Sequence, residues 1–263
     1  MDFTVSKSMP ESFSQSIPGY LEVCLSAAED PRVFEKFKSN VQYRTVLEHV
    51  SYNLADSYID LLPKDLLYIV SGSKFKEKFN SLGQPDLYKF GALGVGSPSF
   101  FRYLKVYSDL IKYFGSLDTL KICEIGGGYG GQAALILEYS QVNTYTIIDL
   151  PEVNLLSKKF ISNMRGARNH NIRFVDPANL VEESGDLLIS NYALSEVSRS
   201  QQIMYLKNVV SNFKKGYITW NDLSEKNYGG LSLNDCQLAL NGADILQEKP
   251  LTAPNNKIIV WGN

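Results

Sequence analysis

The chain reads as an α/β protein built on a doubly wound, seven-stranded, mostly parallel sheet with a helical N-terminal lobe. Three observations predict this. After Gly115, apolar strand-like runs alternate with helix-like runs, the pattern of a parallel sheet covered on both faces. The first of these strands enters a turn with five glycines among positions 126–131. The last two strands are joined only by "PLTAPNN", too short for a parallel crossover, so they are expected to form an antiparallel hairpin at one edge.

The 263 residues allow one large α/β domain, or a domain of about 150 residues with a smaller lobe. The hydrophobic share of 44% and charged share of 21% are ordinary for a globular protein. A net charge of -2 without a basic block argues against extended contact with nucleic-acid phosphates. No apolar run approaches the roughly 18 residues that span a bilayer, and the polar "MDFTVSKSMPESFSQSIPGY" has no signal-peptide core. Cys24, Cys123 and Cys236 lack metal or disulfide spacing. A reducing, cytoplasmic setting without stable membrane insertion is therefore expected.

In chain order, "PRVFEKFKSNVQYRTVLEHVSYNLADSYIDLL" carries apolar residues at helical spacing, with Asp30 as N-cap and Pro31 at the first helical position. "FNSLGQPDLYKFGALGVGSPS" is rich in Gly and Pro and reads as a loop, long enough to be functional or mobile. "SFFRYLKVYSDLIKYFGS" reads as an amphipathic helix ending near Gly115. The strand-like runs are "LKICEI", "TYTIID", "IRFVD", "DLLISN", "GYITWN", "ADILQEK" and "KIIVWG". Between the first six lie "GGQAALILEYS", "PEVNLLSKKFISNM", a weak segment near "PANLVEE", "SRSQQIMYLKNVVSNF" and "LSLNDCQLALNG". The change of pattern divides the chain into a helical region over 1–115 and a sheet domain over 116–263.

In open α/β sheets, ligands bind beyond the carboxyl ends of the strands, and "EIGGGYGG" is the first such end. Gly126, Gly127, Gly128 and Gly130 can take positive φ and let the backbone approach a ligand. The helix that follows offers free amides at its N-terminus. Gly126, Gly128 and Gly131 also fit a dinucleotide fingerprint, although Tyr129 stands where that loop usually has a small residue. Glu124, at the strand's end, could accept from a ligand's amino group. Asp149 ends the second strand, 23 residues after Gly126 and just before Leu150, where an acidic residue grips ribose hydroxyls. Asp176 ends the third strand, where a side chain can meet an adenine edge. Both aspartates also read as N-caps, with Pro151 and Pro177 close behind.

"EIGGGYGG" resembles the acidic-x-Gly-x-Gly-x-Gly motif of class I S-adenosylmethionine-dependent methyltransferases, and the terminal hairpin is similar to the end of that fold. More narrowly, "ICEIGGGYGGQA", "TIIDLPEVNLL", "ISNYALSE" and "NNKIIVWG", with "VLEHVS" and "GSPSFFRYLK", resemble the sugar O-methyltransferases found with bacterial surface-polysaccharide genes. The resemblance implies a Rossmann-like methyltransferase fold and S-adenosyl-L-methionine as cofactor. It places Glu124, Gly126, Gly128 and Asp149 on that cofactor, and Gly127, Tyr129, Gly130, Leu150, Asp176 and Asn191 are expected around them from their positions at the strand ends. The implied acceptor is a sugar hydroxyl of a polysaccharide or its precursor, with 1–115 as acceptor-binding cap. Three other readings stay open: an O- or N-methyltransferase of another pathway, an NAD-dependent oxidoreductase, and a non-catalytic binding module.

Methyl transfer is an in-line displacement that needs an aligned acceptor and, for a sugar hydroxyl, a base. Glu196 is the first candidate, ahead of a helix that Ser198 and Gln201 could open as a capping box. Asp222 is the second, with Asn221 orienting it. Asn191 is assigned to the cofactor, and Tyr192, Arg102, Tyr103 and His49 to the acceptor. Tyr192 reads equally as a packing residue, Arg102 and Tyr103 read also as surface or packing residues, and His49 as a helix-packing histidine. His170 reads as distant from the methyl. Asp222 and Asn221 are a thin ligand set for magnesium, and no metal is expected. A homo-oligomer is left open.

Overall fold

The computed structural model describes residues 11–165, 171–240 and 242–263. A two-residue ribbon, β1 (Tyr88–Lys89) and β2 (Val95–Gly96), interrupts the Gly/Pro-rich loop. The sheet is made of β3 (Lys121–Ile125), β4 (Thr144–Ile148), β5 (Ile172–Val175), β6 (Gly185–Asn191), β7 (Phe213–Trp220), β8 (Asp244–Gln247) and β9 (Lys257–Trp261). Its order is β5-β4-β3-β6-β7-β9-β8. β9 runs antiparallel to both β7 and β8, and the other pairings are parallel. This is the Rossmann-like methyltransferase arrangement, with the hairpin at the edge as the short connection required.

Central β3 is buried from Ile122 to Ile125, as a parallel strand covered on both faces must be. Alternate residues feed two apolar clusters. Ile122, Ile147 and Ile189 face one, and Cys123, Ile148 and Leu188 the other. The order reverses at β3, with β4 on one side and β6 on the other. That is the crevice where this architecture holds ligands.

The stretch from Asp30 breaks into α3 (Pro31–Phe34), a 3₁₀ turn, α4 (Val41–Val46) and α5 (Tyr52–Asp60), after α1 (Phe13–Ser16) and α2 (Tyr20–Glu29). Asp30 caps as expected, accepting from the Arg32 amide at 2.8 Å. The breaks have local causes. Asn40 and Ser51 cap new helices, and Glu48 takes φ 61° between them. Next come α6 (Lys64–Val70), α7 (Lys74–Ser81) and α8 (Pro98–Phe114), which stops at Gly115. In the sheet region lie α9 (Gly131–Tyr139), α10 (Pro151–Arg165), α11 (Arg199–Asn208), α12 (Leu223–Tyr228) and α13 (Leu233–Ala239). The weak segment near "PANLVEE" is only a 3₁₀ turn over Pro177–Asn179, and α12 follows a strand end where no helix was expected.

Tyr20, Phe37, Tyr43 and Phe79 belong to the same apolar cluster as Tyr129, Leu135 and Phe160. The core thus crosses the 115/116 boundary without a break. Among the described residues, no helix is long and apolar enough to cross a membrane. Cys24, Cys123 and Cys236 are free thiols, all buried.

Candidate active site

A cavity of about 410 Å³ opens at the carboxyl ends of β3, β4, β5 and β6. Its floor is the backbone of Gly126 and Gly128, at φ 77° and 55°. A Cβ on Gly126 would stand 2.0 Å from Ala193 Cβ, and one on Gly128 would stand 2.8 Å from Leu47 Cδ1. Gly127 and Gly130 are not on the wall. Their missing side chains make room for Ile147 and for Ser157. The bare turn therefore lets the protein close on itself as well as exposing backbone at the cavity.

Asp149 ties this loop down. Its Oδ2 accepts from the Gly128 amide at 2.9 Å and its Oδ1 from Leu150 at 2.8 Å. Desolvation pushes its pKa up to about 6 against those two donors. Leu150 and Asp176 also line the cavity. Asp176 Oδ1 accepts from the Ala178 amide at 2.9 Å, so it caps the following turn while facing the cavity.

Asn191, at the end of β6, has both Nδ2 and Oδ1 buried without a partner among the described residues. It helps hold the Glu124 pKa down from nearby, in a geometry that makes no hydrogen bond. An unsatisfied buried amide on a cavity wall is costly, and a ligand that pairs with it would relieve that cost.

Glu196 lines the same cavity. Asn221 Nδ2 donates to its Oε1 at 2.7 Å. The orientation of that amide follows from its other end, where Oδ1 accepts from the Leu223 amide at 3.1 Å. Oε2 accepts no hydrogen bond from the described residues. Burial raises the Glu196 pKa, opposed first by Asn221 and then by the Arg102 charge. The Ser198–Gln201 pair is half a capping box. Ser198 Oγ accepts from the Gln201 amide, but the Gln201 side chain donates to Glu11.

Arg102, Tyr192 and His49 also reach the cavity. The Arg102 guanidinium lies 5.0 Å from the Tyr192 ring centre. Tyr192 has φ 68°, a strained conformation for a non-glycine residue. It is fixed by donation of its hydroxyl to Glu248 and by Thr252 Oγ1 at 2.9 Å. His49, exposed at the rim, has its pKa lowered by the protein packed around it and by the Arg102 charge.

Besides Gly127 and Gly130, four expected wall residues are elsewhere. Glu124 is 1% exposed, below the loop, where the Tyr145 hydroxyl donates to its Oε2 at 2.8 Å. Tyr129 points away from the cavity into Phe37, Phe79, Tyr103 and Phe160. Tyr103 packs against Tyr129 and against Gly131, where a Cβ would come within 2.5 Å of its ring. The aromatic core outbids the cavity for both rings, because each buries a large apolar area there. Asp222 stands outside the cavity, paired with Lys226 at 2.6 Å and accepting from Asn255. These two partners hold its pKa below the usual carboxylate range. His170 lies outside the described residues.

One part of the site had no signal in its own residues. Glu11 to Gln15 cross the cavity mouth, held where the Ser198 amide donates to Glu11 O at 2.7 Å and Ser12 bridges Val197. Only the tertiary pairing puts them there. Among the described residues, no group of three His, Cys, Asp or Glu side chains is placed to hold a metal ion.

No family model and no curated protein matches the chain. Similar solved structures include magnesium protoporphyrin IX methyltransferase from Synechocystis PCC 6803 with bound SAH, at 14% identity and TM-score 0.48 over 62% of this chain and 82% of that one. An O-methyltransferase family protein from Burkholderia thailandensis matches at 15% and 0.43 over 58% and 53%. Ribosomal protein L11 methylase from Lactobacillus delbrueckii subsp. bulgaricus matches at 14% and 0.43 over 61% and 78%. At that level of likeness, no activity, ligand or acceptor passes from any of them to this chain.

Proposed function

We propose that the chain is an S-adenosylmethionine-dependent O-methyltransferase acting on a sugar hydroxyl of a polysaccharide or its precursor. The observation that carries this reading is convergence on one cavity. A glycine-loop backbone, Asp149 bound to that loop, the unpartnered Asn191 amide and Glu196 with a free oxygen all meet there. The sugar as acceptor rests on the motif resemblance.

Asp149 accepts two backbone amides and, as a carboxylate with about four lone-pair sites, keeps capacity for two ribose hydroxyls. Asp176 would meet the base edge, and Asn191 would offer a donor and an acceptor to the same ligand. S-adenosylmethionine, when bound, supplies an electrophilic methyl group on a sulfonium. The chain's task is then to align the acceptor and remove its proton. Glu196 takes the hydroxyl proton on Oε2 while Asn221 holds Oε1 still, and burial of the carboxyl makes it a stronger base than a solvated glutamate. Arg102, Tyr192 and His49 form the acceptor side, and 1–115 supplies the cap through the Glu11–Gln15 strap, α4 and the start of α8.

Calorimetric titration with S-adenosylhomocysteine and with NAD tests the cofactor; binding of NAD alone would overturn the reading. Glu196→Gln should keep S-adenosylhomocysteine affinity and lose about 10²–10⁴ in methyl transfer to surface-glycan extracts. Asp222→Asn, outside the cavity, should retain transfer.

A further inference from the structure

Among the described residues, Arg102 is the one permanent cation on the cavity wall, and it makes no hydrogen bond and no ion pair with any of them. The carboxylates around it are engaged. Glu248 accepts from Tyr192 and Thr252. Glu196 accepts from Asn221. On the other walls, Asp149 and Asp176 accept backbone amides and Glu11 accepts from Gln201. Among the described residues, every acidic side chain in the cavity has a protein donor, while the guanidinium has no protein acceptor. Its contact with the Tyr192 ring engages no acceptor oxygen, so its N–H groups remain for a ligand. His49 adds no second positive charge at neutral pH, since its pKa is lowered.

The Glu248 charge reaches Arg102 through space, but its N–H groups find no acceptor among the described residues, and partly desolvated donors left unpaired are costly until a ligand meets them. A planar fork of donors matches carboxylate and phosphate oxygens two at a time. The geometry points to an acceptor sugar that itself carries an anionic group, a carboxylate or a phosphate, bound by Arg102 on the Tyr192 side of the cavity. This rests on the methyltransferase reading for the word acceptor, though the anion site stands on its own geometry.

Glucuronate, glucose 1-phosphate and glucose, titrated calorimetrically with excess S-adenosylhomocysteine present, test it. At least one anionic sugar should bind on the order of tenfold more tightly than glucose, and Arg102→Gln should erase that preference. The two anions separate a carboxylate site from a phosphate site. Arg102→Lys, which keeps the charge but not the fork, should retain part of the preference and carries the test if Arg102→Gln does not fold. Equal or absent binding of all three sugars overturns the proposal, as does a preference that survives Arg102→Gln. An Arg102-dependent anion preference without S-adenosylhomocysteine binding would keep this site and remove the methyltransferase reading. The reverse result would do the opposite.

Discussion

Glu124 shows how far burial can move a single group. Its carboxyl is sealed under the glycine loop, and burial pushes its pKa up to about 8, against donation from Tyr145. At neutral pH it is mostly a neutral acid. In the unfolded chain it ionises near 4.5, so from there to about 8 the folded state binds more protons. Stability from this group is complete below 4.5 and is lost as pH rises through the folded value. Glu124→Gln mimics the neutral acid and should gain stability relative to the parent across that window. The gain should amount to roughly a few kcal/mol at about 1.4 per pH unit. Urea unfolding of both proteins at several pH values reads the difference, and a constant difference would refute the assignment. The sequence could place this acid at a strand end beside the glycines. It could not show that Tyr145 and the overlying loop withdraw it from the cavity. Asp149, Asp176 and Glu196 were legible as loop-end acids because loop ends open onto the crevice. Tyr129 and Tyr103 were not, since nothing local tells a ring whether to face a ligand or a core.

At the scale of elements, the strand–turn–helix from β3 to α9 does two jobs with one set of glycines. Gly126 combines φ 77° with a neighbour where its Cβ would lie, whereas Gly72 has φ 67° and open space around it. Comparing the two separates backbone strain from overpacking. Gly72→Ala should cost about 1–2 kcal/mol, the strain alone. Gly126→Ala adds a clash with Ala193 and should cost about 1–3 kcal/mol more. Equal losses in denaturant unfolding would mean that the Ala193 segment yields freely. Sheet elements were readable because apolar runs separated by helical periodicity leave little else for the chain to form. The helices before Gly115 were readable in kind but not in extent, because Asn40, Glu48 and Ser51 cut the stretch through side-chain caps and a positive φ that periodicity does not register. The strap over the cavity was unreadable for a different reason, since its position is set by Val197 to Gln201, far away in sequence.

The whole molecule is joined at a point the sequence gives no hint of. Lys38, 1% exposed and from the helical region, has an Nζ with no hydrogen-bond partner among the described residues. It lies 4.5, 4.4 and 4.7 Å from the ring centres of Phe79, Tyr129 and Phe160. Those rings come from α7, the glycine turn and α10, so one ammonium links the N-terminal helices to the loop that floors the cavity. Cation–π attraction offsets part of the desolvation cost. Even so, burial lowers the pKa to about 8, with Glu48 pulling it back up. Between that value and the ordinary 10.5, the unfolded chain holds the extra proton. The penalty for burying the charge is thus complete below 8 and fades as pH rises toward 10.5. Tyrosines and cysteines titrate in the same range, so the effect must be read as a difference between two chains. The parent should gain on Lys38→Met by up to about 3 kcal/mol from pH 8 to 10.5, as those other titrations largely cancel. A difference that stays flat would mean that Lys38 keeps its proton, and that the seam between helices and sheet is held by a full charge throughout.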